Sequence, residues 1–222
     1  VRSRPAMLET IIKTMNMITN VIIKNMLERR SVRRFRPEQI SEEELDTILQ
    51  AGLYAPSAGG RQGVLFVVSQ DTETNERLGR IKKAHFHGRM STAEVYISKE
   101  QPSIADDASI KSAFYGAPTV VTLFAPKRFL YAESDACVAA ENMLLAATSL
   151  GIGSCYIGSA WDSFDDPFGH EILQKWNVRT DYYAVLHILL GYPLDDMAAI
   201  KSKPRKEGRV LRVGTAPVCS SE

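Results

Sequence analysis

Five arginines fall within eight residues, at Arg29, Arg30, Arg33, Arg34 and Arg36, with Ser31 among them and Pro37 closing the run. Two guanidinium forks and a hydroxyl make a compact phosphate site, because each fork gives paired, charge-assisted hydrogen bonds to an anion. Arg29 and Arg33 are four residues apart, so a helical turn would put them on one side with Ser31 near the same tip. A solvated basic face and a nucleic-acid patch are the competing readings of such a run. Net charge weighs against the last: 27 Lys and Arg stand against 26 Asp and Glu, a formal charge of +1. A dedicated nucleic-acid binder carries a clear positive excess. The cluster is a local feature balanced elsewhere, which favours a small anionic ligand.

Other stretches are weaker. Ala55 to Gly63 (APSAGGRQG) is too rich in Gly for a helix or strand. It reads as a helix-to-strand connection, though its small residues would also let a flat ligand approach the backbone closely. His85 and His87 have no further Cys or His neighbour to complete a ligand set, so they read as surface histidines and no metal site is expected. Cys137, Cys155 and Cys219 are widely spaced with no CxxC pair. That argues against a zinc site or a disulfide framework and suits a reducing cytoplasm. Gly151 and Gly153 follow a helix and precede a strand, the reverse of a dinucleotide-binding turn. No Ser-His-Asp set can be assembled.

These residues need elements to hold them. The chain of 222 residues fits one domain with a sizeable core. Charged residues make up 24%, and no apolar run approaches about 18 residues, so no transmembrane helix is expected. Ile11, Met15, Ile18, Ile22 and Met26 recur at helical spacing, predicting an amphipathic helix that runs into the arginine cluster and buries its stripe on a partner. Ser41 and Glu44 form a capping box ahead of a helix whose buried face is Leu45, Ile48, Leu49 and Gly52. Val64 to Val68 reads as a short strand, and Glu76, Leu78 and Ile81 as one helix face. The stretch from about 82 to 112 is irregular enough to be a lid or substrate wall. Thr119 to Phe124 and Ala184 to Leu190 are buried strands, and Ile152 to Gly158 is a strand entering a turn. Between them, Ser134 to Leu150 is an apolar core helix ended by Gly151, and a further helix lies around Glu171 to Trp176. The tail beyond residue 194 carries Lys201, Lys203, Arg205, Lys206, Arg209 and Arg212 and no core of its own.

Several of these stretches, taken together, resemble the FMN-dependent nitroreductase family. Arg29 to Phe35 (RRSVRRF) resembles its opening phosphate motif, and Ala55 to Gln62 (APSAGGRQ) its A-P-S-x-x-N-x-Q loop. Ala139 to Ala147, with Leu150 to Gly158, resembles the central helix and following strand; Leu190 to Pro193 and Lys203 to Arg205 resemble the closing elements. The motifs keep the family order from about residue 25 to 212. The resemblance implies an α+β fold, a central, mostly antiparallel sheet flanked by helices, in an intertwined homodimer. Residues 1–20 would be an extension, 21–222 the domain, with a lid-like insertion at about 82–112 and an arm at about 194–222.

The same resemblance implies one FMN per subunit at the dimer interface. Arg29, Arg30, Ser31 and Arg33 would hold the phosphate and ribityl chain, with Lys203 and Arg205 reaching the same phosphate. Pro56, Ser57 and Ala58 would come from the other subunit, and Gly60 and Gln62 of the same loop would also belong to the cofactor site. Tyr156, Ile157, Gly158 and Ser159 would lie beside the isoalloxazine, the Gly158 N–H matching the donor to flavin N5. The implied activity moves reducing equivalents from NAD(P)H to a nitroaromatic, quinone or similar flat small molecule in two half-reactions, with no catalytic side chain and no nucleic acid or membrane as partner. Enone reduction, reductive dehalogenation, azoline oxidation, or a low-turnover flavin carrier or sensor are the alternatives. Two departures stand out: Gly60 replaces the usual Asn, and Gly63-Val64 replaces the usual Pro-Trp, removing a bulky wall.

Overall fold

A computed structural model describes residues 18–86, 100–202 and 205–214. Its centre is a four-stranded antiparallel sheet built from β1 (Leu65–Ser69), β2 (Thr119–Pro126), β3 (Gly153–Gly158) and β4 (Tyr182–Gly191), in the order β1-β2-β4-β3. β2 and β4 are runs of β-branched, aromatic and leucine residues without polar alternation, the pattern of strands covered on both faces. Val121, Leu123, Ile188 and Leu190 face one layer, formed by α2 (Glu42–Leu53) and α4 (Ala132–Ser149). Val120, Phe124 and Leu189 face the other, formed by α3 (Thr72–Ala84), the turn Ala160–Phe164 and α5 (Pro167–Lys175). The α+β expectation holds.

Local signals set the helix ends. In the Ser41 capping box, Ser41 Oγ accepts from the Glu44 N–H (3.2 Å) and Glu44 Oε2 accepts from the Ser41 N–H (2.8 Å). The Tyr192 hydroxyl donates to the same carboxylate at 2.7 Å, tying the start of α2 to the end of β4. These hydrogen bonds hold the Glu44 carboxyl below its usual range. Gly52 sits where α2 crosses α4: a Cβ there would meet Met143 Cγ at 2.7 Å. The predicted helix reaching into the arginines differs from what is found. Its first turns, with Ile11 and Met15, lie outside the described residues, and α1 (Val21–Glu28) stops before Arg29, whose φ −51° and ψ 134° are not helical. α3 continues through Ala84, so Lys82 belongs to a helix and not to the irregular stretch that follows. The Ala55–Gly63 loop contains one short 3-10 turn, Ala58–Gly60, where only a loop was expected.

Candidate active site

The arginine segment is extended, not helical. β3 is an edge strand, and its free backbone takes up the chain: Val32 N–H donates to Ser154 C=O at 2.9 Å, and Ser31 forms a parallel bridge with Ser154. Burial of Val32 on this edge overrides the helical reading of the Arg29–Arg33 spacing. In an extended chain alternate residues share a side, so Arg29, Ser31 and Arg33 still group together while Arg30 and Arg34 point away. The grouping surrounds Cys155: burial pushes its thiol up, against the pull of Arg33 and Arg29 and a hydrogen bond from Ser31.

The remaining arginines are placed differently. Arg30 does not turn toward Cys155; its Nη1 donates to the Leu27 and Arg29 carbonyls (2.8 and 2.7 Å) and its Nε to Ile200 C=O (3.2 Å), closing the end of α1. Arg34 pairs with Asp195 at 3.1 Å. Arg33 is steadied by Gln101, whose carbonyl accepts from Nη1 (2.8 Å) and whose side-chain oxygen accepts from the Arg33 N–H. Its guanidinium also lies 5.8 Å from the Tyr115 ring centre. Gln101 and Tyr115 were not singled out from sequence. A glutamine and a tyrosine in an irregular stretch carry no signal that they fold onto an arginine 68 and 82 residues away.

Further along β3, Tyr156 is exposed and its hydroxyl lies 3.4 Å from Cys137 Sγ; burial first, then Cys137, pushes the phenol's pKa up. Ile157 and Gly158 are half-buried, and Ser159 follows with φ 54° and ψ 49°, a left-handed conformation that L-residues adopt at a cost. The Ser159 carbonyl accepts from Lys82 Nζ at 2.8 Å, and Lys82 also pairs with Asp162 at 2.7 Å. Behind this turn His187 is fully buried between Thr122 Oγ1 (2.8 Å) and Ser163 Oγ (3.0 Å). Burial, then the Lys82 charge, lowers its pKa to about 3, so the imidazole is neutral and out of reach of any ligand.

The glycine-rich loop forms a second group. Pro56, Gly60 and Gln62 are exposed, and Ser57 and Ala58 half-buried. Gly59 and Gly60 have φ 64° and Gln62 φ 49°. Glycine at position 60 thus supplies a left-handed angle, one that Asn also tolerates. Ser57 Oγ accepts from the Gln62 N–H (2.9 Å), and the Ala58 N–H donates to Asp135 Oδ1 (3.0 Å), a buried carboxylate in the first turn of α4. Tyr54, Pro56, Ser57, Gln62, Phe66 and Asp135 line a cavity of about 540 Å³. Asp135 too was missed, since acidic residues in a first helical turn are ordinary.

Within one chain the two groups stand at opposite corners of the sheet. The arginines adjoin Ser154, which pairs with Leu190 near the far end of β3, whereas the loop enters β1 at Leu65 on the other edge. Three strand spacings separate the edges, roughly 14 Å. Of the closing residues, Arg205 is exposed and Lys203 lies outside the described residues. Among the described residues no cluster of His, Cys, Asp or Glu could hold a metal, and no helix is long and apolar enough to cross a membrane.

Comparison with known proteins decides the family. The nitroreductase family model matches residues 26–192. The chain belongs to the nitroreductase family. An NADPH-flavin oxidoreductase of Vibrio harveyi is 31% identical over 150 residues, 65% of this chain and 56% of that protein, so the chain spans little more than half of that relative's length. A nitroreductase with bound FMN from Bacteroides fragilis matches with 30% identity and a TM-score of 0.70, over 88% of this chain and 100% of that one. A second, from Desulfitobacterium hafniense, shares the fold at a TM-score of 0.72 and 24% identity, over 88% and 100% of the two chains. The nitroreductase match covers both the arginine segment and the glycine-rich loop.

Proposed function

We propose that this chain is an FMN-dependent oxidoreductase that moves reducing equivalents from NAD(P)H to a nitroaromatic, a quinone or a similar flat acceptor. The observation that carries the reading is the arrangement along β3. Arg29, Ser31 and Arg33 gather beside Ser154 and Cys155, and the Gly158–Ser159 turn ends the same strand. Four residues of strand separate them, roughly 13 Å, long enough for a phosphate joined to a flat ring through a ribityl chain. The donor set fits: cationic forks and a hydroxyl at one end, backbone N–H groups and an exposed tyrosine at the other.

FMN held there would supply hydride-transfer chemistry between a nicotinamide and a second substrate that take turns in one open slot, a ping-pong cycle in this reading. The chain's residues bind and orient. Arg29, Ser31 and Arg33 hold the phosphate by charge-assisted hydrogen bonds, with Lys203 and Arg205 as further cations. The Gly158 and Ser159 N–H groups fix the ring edge, and Tyr156 flanks it. No side chain is assigned a proton-transfer role, and buried His187 is unsuited to one.

Two chains share each site in this reading. Pro56 to Ala58, Gly60 and Gln62 lie at the far corner of the sheet from the arginines, so they serve a partner's cofactor better than their own. The apolar, exposed side of α1 (Val21, Ile22, Met26) and the exposed tail residues Val210, Leu211 and Val213 call for the same partner surface. Among the described residues only Pro126 lies near the missing Cβ of Gly63, at 3.6 Å, and the loss of the family's bulky Pro-Trp pair there favours a wider opening and bulkier acceptors in this reading. Enone reduction or dehalogenation on the same cofactor is the second reading, favoured by that opening. The test is reconstitution with FMN and FAD, chromatography of the released flavin, and NADH or NADPH oxidation against a panel of nitroaromatics, quinones, enones and halogenated rings. Preferential FMN uptake and acceptor-dependent turnover are expected; FAD in its place, or no flavin uptake, overturns the reading.

A further inference from the structure

Lys82 is a buried lysine on the last turn of α3, its side chain 9% exposed. Lysines are rarely buried this far unless their charge is met, and both partners here lie on one turn: Ser159 C=O at 2.8 Å and Asp162 Oδ2 at 2.7 Å. The Ser159 carbonyl also accepts from the Asp162 N–H at 3.2 Å. This turn follows Gly158 directly and carries left-handed Ser159. Its far side is fixed independently, by Ser163 on His187 and by close packing of Gly169, where a Cβ would lie 2.4 Å from Phe164 Cα. α3 is itself seated without Lys82, through the Ala113 N–H on the Gly79 carbonyl at 2.9 Å and the Asn75 amide on the Ser69 carbonyl at 3.1 Å. The ammonium is therefore spent on the one strained residue of the turn.

We propose that Lys82 is a positioning residue: its ammonium holds Ser159 in the left-handed conformation and so aims the Gly158 and Ser159 N–H groups at the bound cofactor. The inference rests on the FMN reading above. Lys82 touches neither cofactor nor substrate; it acts through the Ser159 carbonyl. Loss of that hold lets Ser159 relax toward an ordinary backbone angle and turns the two N–H groups off their line. Glycine at position 159 would adopt the same angle without strain and make Lys82 dispensable.

The experiment compares the wild type with Lys82→Met/Asp162→Asn, which removes both charges, and with the same pair plus Ser159→Gly. In the FMN-loaded double variant, FMN affinity stays within about threefold because the phosphate contacts are intact. Its flavin absorption band and midpoint potential shift, and flavin reduction by NAD(P)H slows by about tenfold, the scale of a small misplacement. Ser159→Gly restores most of each. In the flavin-free proteins the double variant melts lower than the wild type, and Ser159→Gly recovers part of the loss. Unchanged spectrum, potential and rate in the double variant, or no restoration by Ser159→Gly, overturns the proposal. A wild type that takes up no FMN overturns the cofactor reading and the aiming role with it, while the flavin-free melting points still decide whether Lys82 holds the turn.

Discussion

The two halves of the proposed site are built on opposite principles. The arginine half is anchored: Val32 is buried, its N–H is paired to β3, and Arg33 is tied to Gln101 and set beside Tyr115. The loop half is largely exposed, carries three residues at positive φ within four positions (Gly59, Gly60 and Gln62), and is hydrogen-bonded to α4 through Ala58 on Asp135. A phosphate is the same in every flavin site, so its holder gains from rigidity. The acceptor varies, and its wall gains from a backbone that small residues can reshape. In the proposed reading, phosphate affinity would rest on the arginine corner, and the loop corner would shape the partner's side of the slot.

The sharpest way to break this contrast is to put the corners on different chains. A variant damaged at Arg33 and one blocked by Ser57→Trp should each be inactive as homodimers. A mixed dimer has one site with both defects and one with neither, so activity returns to about half, by twofold symmetry. Differently tagged variants, co-expressed and purified as the verified mixed dimer, give the answer through FMN content and NAD(P)H oxidation. No recovery means each chain builds its own site.

Within the anchored half, Arg33→Ala should weaken FMN binding by roughly 1.5–3 kcal/mol, the scale for a hydrogen bond to a charged group. Arg34→Ala should cost much less, because Arg34 points to Asp195. Titration of apo-protein with FMN measures both, and equal losses would show the alternation of the segment to be wrong.

The packing behind that half is open to acid. His187 has a pKa of about 3 in the folded chain, against about 6.5 when unfolded. Below pH 6.5 the unfolded chain takes up a proton that the folded chain refuses, so stability falls with pH until about 3. Between pH 7 and 5 this amounts to about 2 kcal/mol. Urea unfolding at the two pH values checks it, and His187→Gln should remove that share of the pH dependence.

The loop half should respond least. Gln62→Gly relieves a positive φ at the cost of backbone entropy, and the net change in stability should stay within about 1 kcal/mol. A larger loss on thermal melting would mean that the Gln62 side chain, and not the backbone, shapes the loop.

How far the sequence could be read follows the same division. β2 and β4 are legible because unbroken apolar runs have few other places to go, and the start of α2 because Ser41 and Glu44 spell out a reciprocal cap. The arginine segment was legible in chemistry and misread in shape. Arginine is a good helix former, and only the free edge of β3, more than 120 residues downstream, draws Val32 into an extended path. Gln101, Asp135 and Lys82 left no mark at all. Each acts by holding a backbone group far away in sequence, and nothing local to a glutamine, an aspartate or a lysine reports that.

The strand order has a consequence for how the protein is made. β3 leaves the ribosome before β4, yet β4 lies between β2 and β3 in the finished sheet and is the strand that β3 pairs with. Until residue 191 has been synthesised, the edge that will carry the arginines and the Gly158 turn has no ladder to join, and β2 is open along one side. Such long-range pairing is slow to form and leaves bare strand edges in the meantime. The helices α2 and α4, which pack against each other in the finished fold, are both made before the last strand arrives and closes the sheet.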